Sequence, residues 1–236
     1  MTTNSTERHV VVVGGGVIGT ACAYFLMRSG WRVTVIERAR IGRGSSHGNC
    51  GLICPSHVLP LAEPGMVATG IKSLFQRNSP FAIKPRFDPA LWSWLVHFAA
   101  RCNNRDMIQA GRGIQPLLLS SLSLYQDLIA SESLDCEFET RGLLFAYRSQ
   151  AGMESYVATN ELMREAFQCV AQRYDGDAVA ELEPALRTGL AGGWFYHEDA
   201  HLRPDKLMQA WRRVLEAGGV TVRENCGLQS FHSRNG

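Results

Sequence analysis

The sequence has 236 residues, of which 45% are hydrophobic and 19% are charged. This composition excludes an intrinsically disordered chain, and the length suffices for one large domain or two smaller ones. The formal net charge is +2, so the chain as a whole has no field that would attract nucleic acid or an anionic membrane. We therefore expect a globular protein without a nucleic acid partner, although this argument does not extend to a local basic site.

The cysteines predict a reducing compartment. Their number is odd, none are spaced as C-x-x-C, and they stand at positions 22, 50, 54, 102, 136, 169 and 226. This pattern is typical of scattered buried thiols; Cys50 and Cys54 are either a redox-active pair or two packed small residues. Residues 1–9 have no apolar signal region, and no stretch approaches the ~18 apolar residues of a membrane span. We expect a cytoplasmic protein, with peripheral contact to the inner face of the membrane left open.

The first forty residues predict a βαβ unit. Residues 9–13 and 33–37 are mostly β-branched, which is typical of strands buried in a parallel sheet. Between them, residues 17–29 predict a helix that ends at Gly30. We expect this helix to bury an apolar face made of Ile18, Ala21, Cys22, Phe25 and Leu26.

Residues 38–60 are rich in Gly, Ser and Pro and have no regular period. Long irregular segments inside compact domains are usually functional. The spacing of apolar residues beyond this segment predicts helices over 65–76, 89–101, 116–132, 153–171 and 204–217, and strands over 141–148, 192–199 and 220–224.

Aromatic residues are concentrated in the helix predicted over 89–101. Trp92, Trp94, Leu95 and Phe98 stand at near-helical spacing, which is more typical of a core-facing helix than of an interaction surface. We interpret them as core residues; the alternative is a patch that faces a membrane or a partner.

Residues 14–19, GGGVIG, form a G-x-G-x-x-G pattern that opens the first helix. In this pattern the first glycine permits a tight turn, the second lets a pyrophosphate approach the backbone, and the third lets the helix pack closely on the strand. The N–H groups and dipole of the helix N-terminus favour the phosphates. Glu37 ends the next strand, about 20 residues onward, where a carboxylate accepts ribose hydroxyls. The sequence predicts a dinucleotide site, and the glycines alone do not separate FAD from NAD.

A second motif predicts metal chemistry that we reject. Residues 197–201, HEDAH, match the H-E-x-x-H pattern of zinc proteases, which requires both histidines on one face of a helix. The preceding residues predict a strand, and Pro204 interrupts any helix that runs through the motif. We therefore expect no zinc at His197 and His201, and no other metal site.

The irregular segment resembles a known family. Residues 46–55, SHGNCGLICP, are similar to the loop pattern S-x-x-N-x-G-x-I-x-P of the FAD-dependent D-amino acid oxidase superfamily, and most closely of the bacterial D-amino acid dehydrogenases of the small subunit type. The similarity continues through residues 62–65 and 71–77, and it resumes at 181–186 and at the helix that begins at Pro204. It therefore spans the whole chain.

The resemblance implies FAD as the cofactor and assigns residues to its adenosine end. It places the pyrophosphate at the turn formed by Gly14, Gly16, Val17, Ile18 and Gly19. It places Arg38, Ser45 and Ser46 near the adenosine ribose or the diphosphate. Glu37 would bind the ribose, and the backbone of Leu228 would meet the adenine.

At the flavin end, the resemblance places Asn49, Gly51 and Leu52 along the isoalloxazine or the ribityl chain. Cys50 stands where the family has alanine, which leaves covalent attachment or redox sensitivity open. His47 and His57 also replace other residue types, and they either tune substrate choice or are ordinary loop residues.

The fold implied by the resemblance is α/β, with a Rossmann-like FAD-binding domain that is discontinuous in sequence. We expect this domain to comprise residues 1–62 and 198–236 and to be interrupted by a mixed α/β substrate domain over 63–197. The helix over 204–217 should return to the first sheet, because it carries an apolar stripe made of Leu207, Ala210, Trp211, Val214 and Leu215. Family members clamp the substrate carboxylate with an arginine from a C-terminal half that we expect to lie beyond this sequence. The FAD-binding domain is then incomplete and the catalytic residues are unknown.

The implied reaction is the oxidation of a D-amino acid, or a similar small amino acid, at its Cα–N bond. A hydride passes from Cα to flavin N5, and the imine hydrolyses to a 2-oxo acid and ammonia. The electron acceptor is a quinone, oxygen or another subunit. Two alternatives stay open: a nicotinamide-dependent dehydrogenase, and a non-catalytic flavin-binding electron-transfer subunit.

Overall fold

A computed structural model describes residues 8–74 and 86–232. Contacts within the chain define two units: unit 1 has residues 1–53, 124–140 and 200–236, and unit 2 has residues 54–123 and 141–199. The elements confirm the predicted α/β class. The domains predicted over 1–62 with 198–236 and over 63–197 stay a prediction.

The predicted order of strands and helices is largely present. Among the described residues the helices are α1 (Val17–Arg28), α2 (Met66–Leu74), α3 (Pro89–Arg101), α4 (Asn104–Glu132), α5 (Gln150–Ser155), α6 (Val157–Phe167), α7 (Ala178–Leu182) and α8 (Pro204–Ala217). The strands there are β1 (His9–Val13), β2 (Arg32–Ile36), β3 (Leu52–Ile53), β4 (Leu143–Tyr147), β5 (Gln172–Asp175), β6 (Gly192–Tyr196), β7 (Ala200–His201) and β8 (Thr221–Arg223). Residues 75 and 76 of the helix predicted over 65–76 lie outside the described residues.

Unit 1 contains the predicted βαβ start. Strands β1, β2 and β8 form a parallel sheet with β2 in the centre. The β-branched side chains of Val33 and Val35 on β2 are 1% and 0% exposed, and such side chains favour a strand whose face is buried. The N–H of Gly14 donates to the carbonyl oxygen of Ile36 at 2.8 Å, so the glycine turn lies beside the end of β2.

Helix α8 returns to this sheet, as the sequence predicts. Its residues Leu207, Trp211 and Leu215 are buried in the core that also contains Val33 and Val35 of β2. The predicted stripe is therefore confirmed, with Ala210 also buried and Val214 partly buried. Full burial of each such large apolar side chain stabilises the fold by about 1.5–3 kcal/mol.

The apolar face predicted for α1 is wrong in part. The buried residues are Thr20, Ala23 and Tyr24, while Ile18 and Phe25 are 76% and 48% exposed. Apolar residues occur on nearly every face of this helix, so their spacing in the sequence does not indicate which face is buried. Packing against β2 and α8 selects it, and the Tyr24 ring contacts the Trp211 ring edge-on at 6.0 Å.

Unit 2 is built on an antiparallel sheet with the strand order β4-β6-β5. All five residues of the central strand β6 are buried. Trp194 and Tyr196 of this strand pack with Met153 and Ala171 in one core cluster, and the Tyr196 hydroxyl lies 2.8 Å from that of Tyr156. The mixed α/β character expected of the middle of the chain is thus present.

Helix α4 begins at Asn104, twelve residues before the predicted start at Pro116. Proline in a helix interior removes one hydrogen bond and crowds the preceding turn, so the sequence favours a boundary there. Contacts within unit 2 outweigh this cost. The Gln115 side-chain amide donates to the carbonyl oxygen of Phe167 at 2.6 Å, and Gly111 lets the Phe167 ring approach so closely that a Cβ would lie 2.5 Å from it.

The helix predicted over 153–171 is two helices, and residues 168–171 lie outside both of them. Helix α5 begins at Gln150, where the Ser149 hydroxyl accepts from the N–H of Gly152, and α6 ends where Gln168 adopts a left-handed φ of 55°. Strand β5 then follows at Gln172. A left-handed residue ends a helix without a glycine signal, which is why the sequence pattern does not reveal this boundary.

The segment with the zinc-protease pattern is not a helix. Residues 197–199 connect β6 to β7, and α8 begins at Pro204. The helix that the protease geometry requires is therefore not formed at His197 and His201.

Trp92 and Trp94 are not core residues. They are 56% and 57% exposed, and Leu95 and Phe98 are only partly buried, so the interpretation of the aromatic cluster on α3 as core is wrong.

Within the described part of the chain, none of the helices has the length and apolar character needed to cross a bilayer.

A buried carboxylate joins two segments of unit 2. Asp199 is 1% exposed and accepts from both the backbone N–H and the hydroxyl of Ser56, at 3.1 and 2.6 Å. Its own carbonyl oxygen accepts from the N–H of Gly142 at 2.8 Å. Because a buried polar group is stable only when its hydrogen bonds are made, this contact fixes the position of Ser56 and of the segment around it.

We expect Asp199→Ala to lower the free energy of unfolding by about 2–4 kcal/mol, because it leaves two buried Ser56 donors without an acceptor. Ser56→Ala should cost less, about 1–2 kcal/mol, because the backbone N–H contact survives. Urea denaturation measures both. Glu181→Ala, at an exposed carboxyl on α7, is the control and should change stability by less than about 0.5 kcal/mol. An Asp199→Ala protein as stable as this control would contradict the prediction.

Candidate cofactor site

The glycine turn between β1 and α1 has the geometry that its sequence predicts. Gly14 has a φ of +99°, a left-handed conformation that favours glycine. A methyl group at Gly19 would overlap the carbonyl oxygen of Gly14, so the third glycine is required for close packing of helix on strand. A Cβ at Gly16 would lie 3.1 Å from the Ser46 hydroxyl oxygen, so a larger side chain there would enter the space in front of the helix.

The N-terminus of α1 presents donors to this space. The first hydrogen bond within the helix is from the N–H of Thr20 to the carbonyl oxygen of Gly16. The N–H groups of Val17, Ile18 and Gly19 therefore have no carbonyl acceptor within the helix itself. The Ser46 hydroxyl accepts from the N–H of Val17 at 2.9 Å. The Ile18 side chain is exposed, so its contribution to an anion site would come from its backbone. This donor set fits a pyrophosphate.

Glu37 holds the turn from the end of β2. One carboxylate oxygen accepts from the N–H of Gly15 at 2.7 Å, and the other accepts from the N–H of Ala39 at 2.9 Å. The N–H of Gly15, followed by that of Ala39, holds the pKa of the Glu37 carboxyl below its usual range. The side chain is therefore ionised at neutral pH, and each oxygen keeps lone pairs that can accept a ribose hydroxyl.

The loop that carries the family pattern is held by its asparagine. The Asn49 side chain donates to the carbonyl oxygen of Ser45 at 3.0 Å and accepts from the N–H of Gly51 at 2.8 Å. Gly51 has a φ of +68°, and a Cβ there would overlap the carbonyl oxygen of Leu202. Leu52 then enters β3 and pairs with His201 of β7.

Five of the predicted residues line one cavity of about 230 Å³ within unit 1: Val17, Ser46, Asn49, Gly51 and Leu52. Its other walls include Tyr125 of α4 and Leu207 and Met208 of α8, which the sequence pattern did not identify. The structure thus brings the helix N-terminus and the loop to a shared space.

The remaining predicted residues lie around the end of β2. The N–H of Cys226 donates to the carbonyl oxygen of Glu37, and that of Asn225 donates to Ala39, both at 2.9 Å. These bonds bring the segment after β8, with the half-exposed Leu228, beside the segment that contains the exposed Arg38. Ser45 is exposed next to Ser46. The individual roles assigned to all these residues stay predictions.

Sequence reasoning missed an ionic link behind the loop. One Glu224 carboxylate oxygen accepts from the N–H of Ile41 and from the Arg212 guanidinium, both at 2.9 Å. Nearby, Gly42 has a φ of +75°, and a Cβ there would lie 2.7 Å from Met208. Arg212 and Glu224 belong to no motif, and no pattern in the sequence indicates that they would meet residues near 41.

The histidines and cysteines with open interpretations occupy different environments. His47 is exposed and lines a cavity in unit 1 with Arg212 and Glu224, whereas His57 belongs to unit 2 and its ring lies 6.2 Å from that of Phe145. Cys54 is buried, but Cys50 and Cys22 are exposed, so the expectation of scattered buried thiols is wrong for these two.

Comparison with known proteins identifies the family. Residues 9–236 match the family model described as FAD dependent oxidoreductase. The chain is 34% identical over 229 residues to the "D-amino acid dehydrogenase" of Paramagnetospirillum magneticum and 32% identical over 229 residues to the "D-amino acid dehydrogenase 2" of Ralstonia nicotianae. The matches cover 94% of this chain but 54% and 53% of those proteins, so the chain spans about half of their length.

Solved structures support the same fold. Glycine oxidase from Geobacillus kaustophilus has a TM-score of 0.63 at 18% identity, over 92% of this chain and 47% of that protein. L-proline dehydrogenase from P. horikoshii has a TM-score of 0.57 at 17% identity, over 97% of this chain and 47% of that protein. The predicted family, its Rossmann-like fold and its cofactor, FAD, are therefore confirmed, and this chain belongs to the family of FAD-dependent oxidoreductases.

Proposed function

We propose that this chain supplies the FAD-binding turn and part of the substrate domain of an amino acid dehydrogenase or oxidase. The observation that carries the proposal is the convergence of Val17, Ser46, Asn49, Gly51 and Leu52 on one cavity beside the glycine turn. A structural turn that binds nothing would not need a helix N-terminus and an irregular loop to line the same space. The family assignment favours FAD over the nicotinamide alternative.

The chain's own residues hold the two ends of the cofactor. The N–H groups of Ile18 and Gly19 would donate to the pyrophosphate, and the Ser46 hydroxyl, which accepts from the N–H of Val17, would contact it. Glu37 would accept from the adenosine ribose while it keeps its bonds to Gly15 and Ala39. Arg38, Ser45 and Leu228, whose chain segments lie near the end of β2 or beside Ser46, would complete the adenosine end, and Asn49, Gly51 and Leu52 would lie along the ribityl or flavin part.

Bound FAD would supply the two-electron oxidation of the substrate Cα–N bond. We propose a D-amino acid, or a similar small amino acid, as substrate, with an imine, then a 2-oxo acid and ammonia, as products. The names of the relatives at 34% and 32% identity support a D-amino acid. The electron acceptor would be a quinone, oxygen or another subunit.

We also propose a reducing, cytoplasmic location. All seven cysteines belong to the described residues and none forms a disulfide. Two of them, Cys22 and Cys50, are exposed, where an oxidising compartment would favour their modification.

We expect Gly16→Val to weaken FAD binding by at least about a hundredfold, because its branched side chain would enter the pyrophosphate space. Glu37→Ala should weaken it by about tenfold to a hundredfold, through loss of the ribose acceptor. Titration of flavin fluorescence measures both affinities. Gly113→Val, at a helical glycine with open space around it, is the matched control and should bind FAD as the wild type does. Full flavin retention in both test variants would contradict the site assignment.

We further expect the stability of the turn to depend on the ionisation of Glu37. Since its pKa is lowered in the folded state from an ordinary value of 4.5, the stabilisation is complete above that value and is lost as pH falls through the lower folded pKa. Glu37→Gln should therefore unfold more easily than wild type by about 1–3 kcal/mol at neutral pH, and the difference should shrink below about pH 4.5. Thermal unfolding across a pH series measures this gap. A gap that widens in acid would oppose the assignment.

Substrate class is tested by an anaerobic screen of D- and L-amino acids, and glycine, against the intact gene product loaded with FAD. We expect D-amino acids to bleach the flavin absorbance and their L-enantiomers to leave it unchanged. Bleaching by L-amino acids alone would overturn the stereochemical proposal. Bleaching by none, together with normal FAD binding, would favour the electron-transfer subunit.

A further inference from the structure

The segment that follows β2, residues 38–46, contacts the glycine turn directly, and we call it the linking segment. The N–H of Gly42 donates to the carbonyl oxygen of Gly15 at 2.7 Å, and a Cβ at Gly15 would lie 2.9 Å from the Ile41 side chain. Gly15 also donates its own N–H to Glu37 at 2.7 Å. Both hydrogen-bonding groups of the Gly15 backbone are therefore occupied, and one of the two bonds depends on where the linking segment lies.

The position of the linking segment is set by a second glutamate, Glu224. Strand β8 pairs in parallel with β2, so Glu224 and Glu37, which follow these strands, stand at the same edge of the sheet. One Glu224 carboxylate oxygen accepts from the N–H of Ile41 at 2.9 Å. The same oxygen accepts from the Arg212 guanidinium at 2.9 Å. The orientation of the Glu224 carboxylate is thus fixed by a charged side chain of α8.

The ion pair connects the linking segment to a helix that is anchored in the core. The Glu224 side chain is 22% exposed and that of Arg212 is 36% exposed, so salt screens their attraction less than that of a fully exposed pair. Arg212 also pairs with Glu216 of α8 at 2.9 Å. Helix α8 packs in unit 1 through the buried Trp211 and Leu215. The pair therefore holds Ile41 at a fixed distance from a well-packed element.

The far end of the linking segment reaches the space assigned to the cofactor. The Ser46 hydroxyl accepts from the N–H of Val17 at 2.9 Å, and Arg38, Ser45 and Ser46 are the residues that we propose for the adenosine or diphosphate end of FAD. Apart from one 3-10 turn over 44–46, the linking segment has no helix or strand. Its order therefore depends on its contacts, and any residue that becomes ordered only on binding lowers the affinity for the ligand.

We propose that Arg212 and Glu224 set the affinity of this chain for FAD by ordering the linking segment before the cofactor binds. This inference rests on the proposed FAD site. Glu224 contacts the segment, and Arg212 is a positioning residue that acts through Glu224. Neither belongs to the residues assigned to the cofactor. Without the pair, FAD binding itself must order the segment, and the affinity falls.

The alternative role for Arg212 is direct attraction of the FAD pyrophosphate by its positive charge. The guanidinium is already shared between two carboxylates, because it donates to Glu216 and to Glu224, both at 2.9 Å. This arrangement favours the positioning role. The two roles also predict different results for a double variant.

Titration of flavin fluorescence with the 236-residue chain measures the effect. We expect Glu224→Ala to weaken FAD binding about tenfold, because the N–H of Ile41 loses its acceptor. Glu224→Gln keeps an acceptor oxygen and should bind within about threefold of wild type. Arg213→Ala, at the exposed next residue of α8, is the control and should bind FAD as the wild type does. Circular dichroism verifies that each variant is folded.

A double-mutant cycle tests whether Arg212 acts through Glu224. Arg212→Ala alone should weaken FAD binding about threefold, because the Glu224 carboxylate is then free to turn away from Ile41. In a chain that already carries Glu224→Ala, the same change should have no further effect. Full additivity of the two losses would overturn the positioning role, since Arg212 would then contribute independently of Glu224.

Limited digestion of the cofactor-free chain with trypsin reports the order of the linking segment itself. Arg38, Arg40 and Arg43 are exposed cleavage positions within it. Mass spectrometry should show cleavage after Arg40 and Arg43 about tenfold faster in Glu224→Ala than in wild type, with unchanged rates in unit 2. Faster cleavage throughout the chain would indicate a general loss of stability and would overturn the proposal. Should Glu224→Ala fail to fold, Arg212→Ala provides the same two measurements.

Glu37→Ala distinguishes failure of this inference from failure of the proposed site. Weaker FAD binding by Glu37→Ala, together with wild-type binding and wild-type digestion of folded Glu224→Ala, would overturn the inference and leave the cofactor site in place. Unchanged FAD binding by both variants would overturn the site assignment, and with it this inference.

Discussion

The contact on which the cofactor turn depends is the double hydrogen bond of Glu37. Its carboxylate accepts from Gly15 on one side and from Ala39 on the other, and its backbone pairs with Arg223 and Cys226. One residue thereby connects the glycine turn, the loop after β2 and the segment after β8. Such charge-assisted bonds are about twice as strong as neutral ones, so the turn is held in its binding geometry by the fold itself.

Sequence reasoning succeeded where local chemistry and tertiary packing favour the same structure. The β-branched run of β2 forms the central strand, the glycines form the turn, and the stripe that contains Leu207 and Trp211 packs against the sheet. It failed where packing decides between local alternatives. Helix α4 runs through Pro116 because Gln115 and Gly111 contact Phe167, which is about fifty residues away in the sequence.

The candidate site shows the same division. The glycine pattern and the loop pattern consist of residue types in a spacing that few other structures require. Gly14, Glu37 and Asn49 can therefore be recognised from the sequence as site residues. The walls of the cavity carry no such signal, since Tyr125 and Met208 are ordinary helix residues until the fold brings them to the loop. The exposure of Trp92 could not be inferred either, because a pattern of apolar residues predicts a face but not whether anything covers it.

Gly51 illustrates how a residue within a cofactor-binding pattern can be constrained for a reason other than the cofactor. Its left-handed backbone and the carbonyl oxygen of Leu202 both exclude a side chain, and the N–H of Leu202 donates back to the Gly51 carbonyl oxygen. The requirement for glycine here comes from the backbone of Leu202, the residue after β7, and does not depend on a bound cofactor. Glycine at position 51 is therefore a requirement of the fold, and its presence does not by itself indicate a bound cofactor.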